Sequence, residues 1–368
     1  MKVPLLDLKA QYKTIKDEVL AAIAEVCESQ HFALGPAVEK FEQQIAAYCG
    51  APSAVGVSSG TDALLISLMA IDIQPGDEII TTPFTFFATA GSITRRGGRP
   101  VFVDVEEKSF NINPAGIEAA ITDRTKAILP VHLFGQMAPM KPIMDVAGAH
   151  DLRVIEDCAQ AIGAHQDGRI AGSVGDLGCF SFYPTKNLSA YGDGGLVVTR
   201  DEELGSKLKV LRDHGQSPRY FYKMVGGNFR LDAIQAAVLN VKLKYIDAWN
   251  ARRREIAAQY DKLLADTPVT VPQIEDENVS VYHQYTLEAP RRDELQAFLQ
   301  DNGVGCAVFY PKPLHLQDCF SDLGYTAGDM PVAESLCKKV LSLPIFPELT
   351  EEQIAYVAEQ IARFYESN

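Results

Sequence analysis

The chain has 368 residues, 47% of them apolar and 22% charged, which suits a soluble globular protein of about two domains. A formal net charge of −14 argues against nucleic acid or an anionic membrane as a partner, so any anionic ligand needs a local cluster of cations. Seven scattered cysteines with no C-x-x-C pair imply reduced thiols in a cytoplasmic protein, and no metal site is expected.

The start, MKVPLLDLKAQYKTIKDEVL, has no apolar signal-peptide core. No apolar run approaches the roughly 18 residues of a membrane span. SAVGV (53–57) is a short apolar run, followed by GTDALLISLMA at helical spacing. DEIITT (77–82) reads as a strand and FTFFATAGSITRRG as a helix. PVFVDV (100–105), KAILPVH (126–132) and RVIED (153–157) are buried-strand candidates, each followed by a helical stretch. This alternation predicts an α/β fold with a mainly parallel sheet and helices on both faces. From about residue 246 the rhythm changes. A long helix over roughly 232–265 leads to SVYHQYTLEAP (280–290), a helix near 292–302, GVGCAVFYP, and a last helix within 350–366. The expected division is a large domain, 1–245, and a smaller α/β domain, 246–368.

In an open parallel sheet, ligands bind beyond the carboxyl ends of the strands. SSGTDAL (58–64) lies at such a strand–helix junction, where free N–H groups and the helix dipole favour a phosphate. A plain helix cap explains Ser59 or Thr61 equally well. Asp157 ends RVIED, and could pair with a cationic ring nitrogen or cap a helix over CAQAIGA. Phe84, Phe86 and Phe87 read as core residues, although one could lie flat on a planar ligand. In FSFYPTKNLSAYGDGGLVVT (180–199), Lys186 sits between two apolar runs, with tight-turn glycines after it. A phosphate site, a carboxylate, an aromatic face and a lysine together fit pyridoxal 5′-phosphate, whose aldehyde needs an amine and whose ring nitrogen needs an acid partner. Lys186 would have to be partly desolvated, which lowers its pKa and exposes a neutral amine.

SSGTDAL, EDCAQAIGA, FSFYPTKNLSAYGDGG, GGNFRLDAIQAAVL and FYPKPLHLQ, in that order along most of the chain, resemble the DegT/DnrJ/EryC1/StrS sugar aminotransferases. The resemblance implies a fold-type-I pyridoxal-phosphate enzyme that works as a homodimer with active sites at the subunit interface. It implies that Lys186 forms the Schiff base, that Asp157 partners the pyridinium nitrogen, and that Gln160 hydrogen-bonds near the ring. Phe86 would stack on the ring, Gly60, Thr61 and Ser181 would hold the phosphate, and Asn228 would reach the other subunit's phosphate. Relatives with histidine at the lysine position act as dehydratases, so Lys186 favours transamination.

Glutamate is the expected donor, and a keto sugar on a nucleotide diphosphate the expected acceptor. Basic residues bunch at Arg212, Arg219, Lys223 and Arg230, with Lys312 further along, and could meet the diphosphate or simply be surface charge. Tyr183, His214, Arg219, Tyr310 and His315 are the candidate substrate contacts. FYPKPLHLQ resembles the corresponding segment of members acting at C-3. The alternatives are amination at C-4 and a pyridoxal-phosphate enzyme acting on amino acids. A nicotinamide-dependent sugar oxidoreductase would need G-x-G-x-x-G, which VGVSSGTDAL does not supply.

Overall fold

The computed structural model describes residues 1–366 and begins with α1 (Leu8–Ser29) and α2 (Pro36–Cys49). Asp7 caps α1 by accepting from the N–H groups of Lys9 and Ala10, each at 3.0 Å. Then come β1 (Ser53–Val57), α3 (Gly60–Ala70), β2 (Glu78–Thr81), α4 (Ala88–Arg95), β3 (Arg99–Phe102), β4 (Thr125–Ile128), α5 (Met140–Ala149) and β5 (Arg153–Asp157). A small hairpin, β6 (His165–Gln166) and β7 (Arg169–Ile170), precedes β8 (Leu177–Ser181), β9 (Gly195–Thr199) and α6 (Glu202–Arg212). The remainder comprises α7 (Ala233–Lys242), α8 (Ile246–Leu263), β10 (Asn278–Val279), β11 (Tyr285–Glu288), α9 (Arg292–Asp301), α10 (Pro331–Lys339), β12 (Val340–Leu343) and α11 (Glu351–Glu366).

The main sheet has seven strands in the order β1-β9-β8-β5-β4-β2-β3. From β8 to β3 it is parallel, and β9 runs antiparallel to both β1 and β8. The 182–194 connection carries no crossover helix, so β9 must return against β8. Every residue of β2 and β9 is buried, and β9 accordingly reads as a nearly continuous apolar run. The pleat splits β9 between two cores. Leu196 and Val198 pack with α1, α2 and α7, whereas Val197 packs with α3 and α6.

A third core lies around the antiparallel pair β11–β12 with α8, α9 and α11. Helix α8 belongs to both regions: Trp249 joins the first core, and Ile256 and Tyr260 join the third. An aromatic cluster of Phe84, Phe102, Phe110 and Phe134 packs against Leu314, Phe320 and Leu336, tying the 314–336 segment to the main sheet beside the site.

Three local expectations are corrected. Not every strand is followed by a helix: 3-10 turns follow β3, and CAQAIGA after β5 forms successive turns. Asp157 Oδ1 there accepts from the N–H of Ala159 at 3.1 Å in an Asx turn, and Gly163 sits at φ +86°, outside the helical region. The helix over 232–265 is interrupted by the 3-10 turn Leu243–Tyr245, after which α8 begins at Ile246. No described helix is long and apolar enough to cross a membrane, and all seven cysteines are free.

Candidate active site

The carboxyl end of β5 positions the acid. Beyond β4 the chain stays paired with β5, the N–H of His132 donating to the carbonyl of Asp157 at 3.0 Å. Side chains alternate across a strand, so Glu156 and Asp157 point to opposite faces. Glu156 is fully buried and anchors its own side: it accepts from the N–H groups of Gly172, Val174 and Gly175 and lies 2.8 Å from His132 Nε2. Asp157, 5% exposed, faces a cavity of about 720 Å³. Its Oδ2 accepts from the Thr89 hydroxyl at 2.8 Å, and Thr89 in turn lies 3.1 Å from the Thr85 hydroxyl. Burial raises the carboxyl's pKa, while the bonds from Thr89 and Ala159 and the charges of Lys186 and His132 pull it down. Among the described residues Asp157 has no ion-pair partner within salt-bridge distance.

Lys186 lines the same cavity from the β8–β9 connection. The turn that carries it is closed by its own N–H donating to the carbonyl of Tyr183 at 2.8 Å. The side chain keeps some access through the cavity, yet protein encloses it enough that burial lowers its pKa to about 8, against a smaller opposing pull from Asp157. A neutral amine therefore becomes available near neutral pH.

A third wall is the start of α3 with the end of β8. Ser59 caps α3, its hydroxyl accepting from the N–H of Asp62 at 3.0 Å, so the cap expected of Ser59 or Thr61 belongs to Ser59. Gly60, Thr61 and Ser181 line the cavity beside it. A Cβ on Gly60 would lie 2.6 Å from Ser181 Cβ, so only glycine lets the helix start approach the strand end this closely. A Cβ on Gly195 would meet the Ser59 carbonyl at 2.2 Å, so β9 also needs glycine to pass beneath the cradle.

The three phenylalanines separate. Phe84 is fully buried in the core, whereas Phe86 and Phe87 are 58% and 51% exposed and line the cavity. Phe87 stacks on Phe320 at 5.8 Å between ring centroids. Gln160 is held at both ends, accepting from the N–H of Phe134 at 2.7 Å and donating to Tyr310 Oη at 3.3 Å. Tyr310 and the exposed Tyr183 also line the cavity.

Four other expected residues lie elsewhere. His315 is 1% exposed and points away from the cavity, its Nε2 3.1 Å from Glu334, although its neighbours Leu314 and Gln317 do line the wall. His214 and Arg219 line a separate cavity of about 670 Å³, together with Arg230, which is paired with Asp213. Asn228 is exposed and pairs with Asp213 through a backbone bridge. Within one chain, then, these residues do not meet Lys186. Arg212 is removed from ligand binding as well: it is buried in an ion pair with Glu42. Thr89, which supports Asp157 from behind, and His283, which lines the cavity, carry no signal in the sequence, because each takes its place through contacts distant along the chain.

The DegT/DnrJ/EryC1/StrS aminotransferase family matches residues 13–362. A "Pleiotropic regulatory protein" of Geobacillus stearothermophilus is 52% identical, covering 99% of both chains. A "UDP-N-acetyl-3-dehydro-alpha-D-glucosamine 3-aminotranferase" of Acidithiobacillus ferrooxidans is 46% identical over 98% of this chain and 97% of its own. Among solved structures, DesV of S. venezuelae, in complex with a ketimine intermediate, has a TM-score of 0.97 at 42% identity, covering 99% of both chains.

Pyridoxal 5′-phosphate, the cofactor of that family, fits this site. A buried carboxylate faces the cavity with no cation in salt-bridge range, a glycine-dependent cradle sits at a helix N-terminus, and a lysine of lowered pKa stands on the same cavity.

Proposed function

We propose a specific reaction for this chain, which belongs to the DegT/DnrJ/EryC1/StrS aminotransferase family and is a pyridoxal-phosphate-dependent enzyme: transfer of the amino group of glutamate to the C-3 keto carbon of a hexose carried on a nucleotide diphosphate. The observation that carries the reading is that Lys186 and Asp157 share one cavity with the Gly60–Thr61–Ser181 cradle. The C-3 position draws support from the Acidithiobacillus relative, whose name specifies a 3-dehydro sugar nucleotide.

When bound, pyridoxal phosphate supplies an aldehyde that accepts amines and a pyridine ring that withdraws electrons from an attached amino acid. Gly60, Thr61 and Ser181 would bind its phosphate with the free N–H groups of the first turn of α3 and with side-chain hydroxyls. Asp157, steadied by Thr89 and Ala159, would hold the proton on the ring nitrogen and gain the cation its burial lacks. Phe86 would pack on the ring face, and Gln160 would present its amide from a position fixed by Phe134 and Tyr310. Lys186, neutral in part at pH 7, would bond to the aldehyde at rest. Once displaced by glutamate, its amine would take the proton from the donor's Cα and return it on the cofactor side.

Tyr183 and Tyr310, both on the cavity wall, would contact the sugar. His214, Arg219 and Asn228 would serve the site of a second copy in a homodimer, which accounts for their distance from Lys186 in their own chain. Seven free thiols suit a cytoplasmic setting. The test is a half-reaction. With glutamate alone, the loaded enzyme should release one equivalent of 2-oxoglutarate per site and stop, and a keto-sugar nucleotide should restart it. Release without acceptor-dependent restart would refute the sugar reading.

A further inference from the structure

His283 lies between β10 and β11, 5% exposed, and lines the cavity that holds Lys186. Its Nδ1 is 3.2 Å from Oδ1 of Asn187, the residue after Lys186. The neighbours of Asn187 fix which way its amide points. Asn187 Nδ2 donates to Asn250 Oδ1 and to the carbonyl of Val281, each at 2.9 Å. Asn250 Nδ2 donates to the carbonyl of Ile162 at 3.0 Å. Flipping either amide would set oxygen against a carbonyl oxygen, so Asn187 offers His283 only lone pairs. Nδ1 must then carry the ring proton, and Nε2 of the neutral ring is a bare acceptor. Arg253, fully enclosed, donates to the carbonyls of Tyr282, His283 and Ile345 and so fixes the backbone at the ring. Burial, then the charges of Lys186 and Arg253, holds the imidazole well below its usual pKa and keeps it neutral.

We propose that His283 is a positioning residue for Lys186: the two side chains share one cavity without a hydrogen bond between them at rest, and the bare Nε2 would accept one from the Lys186 amine as that amine turns its lone pair toward the reacting carbon. The inference rests on the role proposed above for Lys186. A neutral acceptor suits this task. A carboxylate in its place would stabilise the ammonium and remove the free amine, and a protonated imidazole would repel it. The locked tautomer also excludes His283 as a proton donor at Nε2.

The test compares His283→Phe, which has no acceptor, with His283→Gln, whose amide oxygen can take the place of Nε2. Cofactor-free enzyme is mixed with pyridoxal phosphate, and growth of the visible absorbance is followed. The Phe variant should be slower by about tenfold, on the scale of one lost hydrogen bond, and the Gln variant should recover most of the rate. In a Lys186→Ala background, His283→Phe should leave the dissociation constant of pyridoxal phosphate unchanged. Equal weakening in both backgrounds, or a Gln variant as slow as Phe, would overturn the proposal. Nitrogen-15 NMR of the cofactor-free protein gives a readout independent of these variants. The His283 Nε2 resonance should be that of an unprotonated nitrogen and should move in Lys186→Ala. A proton on Nε2, or no movement, would overturn it. A wild type that forms no visible band would refute the cofactor role of Lys186 instead, and the NMR coupling would still decide this proposal.

Discussion

Replacing Asp157 by Asn should affect two steps in opposite directions. The Asp157 charge favours the protonated form of Lys186, whose pKa burial sets at about 8. At pH 7 that leaves roughly a tenth of the amine neutral, so removing the carboxylate can raise the neutral fraction by at most about tenfold. The rate at which pyridoxal phosphate at saturating concentration bonds to cofactor-free enzyme should therefore rise, by between about two- and tenfold at pH 7. Amino transfer from glutamate should fall. Without the carboxylate nothing holds the ring proton, and each pKa unit lost there is about 1.4 kcal/mol, or tenfold in rate. A decrease of about a thousandfold corresponds to three such units. Asn is close in shape and can still bond to Thr89 and the Ala159 N–H, so the two effects isolate charge. Stopped-flow absorbance measures both steps: growth of the visible band on mixing with cofactor, and its loss on adding glutamate. Slower bonding at pH 7, or amino transfer within tenfold of wild type, would refute the reasoning.

The pH profile of the first step gives the Lys186 pKa directly: the rate should climb about tenfold per pH unit below 8 and flatten above it, whereas a climb continuing to pH 10 would show an amine unaffected by burial. Gly60→Ala should weaken pyridoxal phosphate binding at least tenfold by equilibrium titration, because the new Cβ sits 2.6 Å from Ser181 Cβ and must force the helix start and strand end apart. Thr89→Val, which removes a donor from the buried carboxylate, should cost about 1–3 kcal/mol in amino transfer, measured as kcat/KM, with little change in cofactor affinity.

Much of the site was legible because its residues mark ends of elements. Asp157 closes a buried apolar run and Lys186 stands between two others, so both could be placed before any contact was known. Local sequence could not say that the segment after Asp157 would fold into successive turns, nor that Phe84 would be core and Phe86 exposed. Thr89 reaches Asp157 across 68 residues and His283 reaches Asn187 across 96, and no periodicity encodes such pairs. His315 was misplaced for the same reason: its partner Glu334 lies on another helix and draws the ring inward, away from the wall formed by its neighbours. His214, Arg219 and Asn228 were grouped with the site by their position in the sequence, whereas the fold sets them at a different surface of the same chain.

The central claim is tested most directly by where nitrogen from glutamate arrives. Enzyme loaded with pyridoxal phosphate is incubated with nitrogen-15 glutamate and, in parallel, with a 3-keto and a 4-keto hexose on a nucleotide diphosphate, and the products are examined by NMR. The label should appear on C-3 of the first sugar. Label on C-4 of the second alone would contradict the assigned position, and label in neither sugar, with transfer between two amino acids intact, would contradict the sugar acceptor itself.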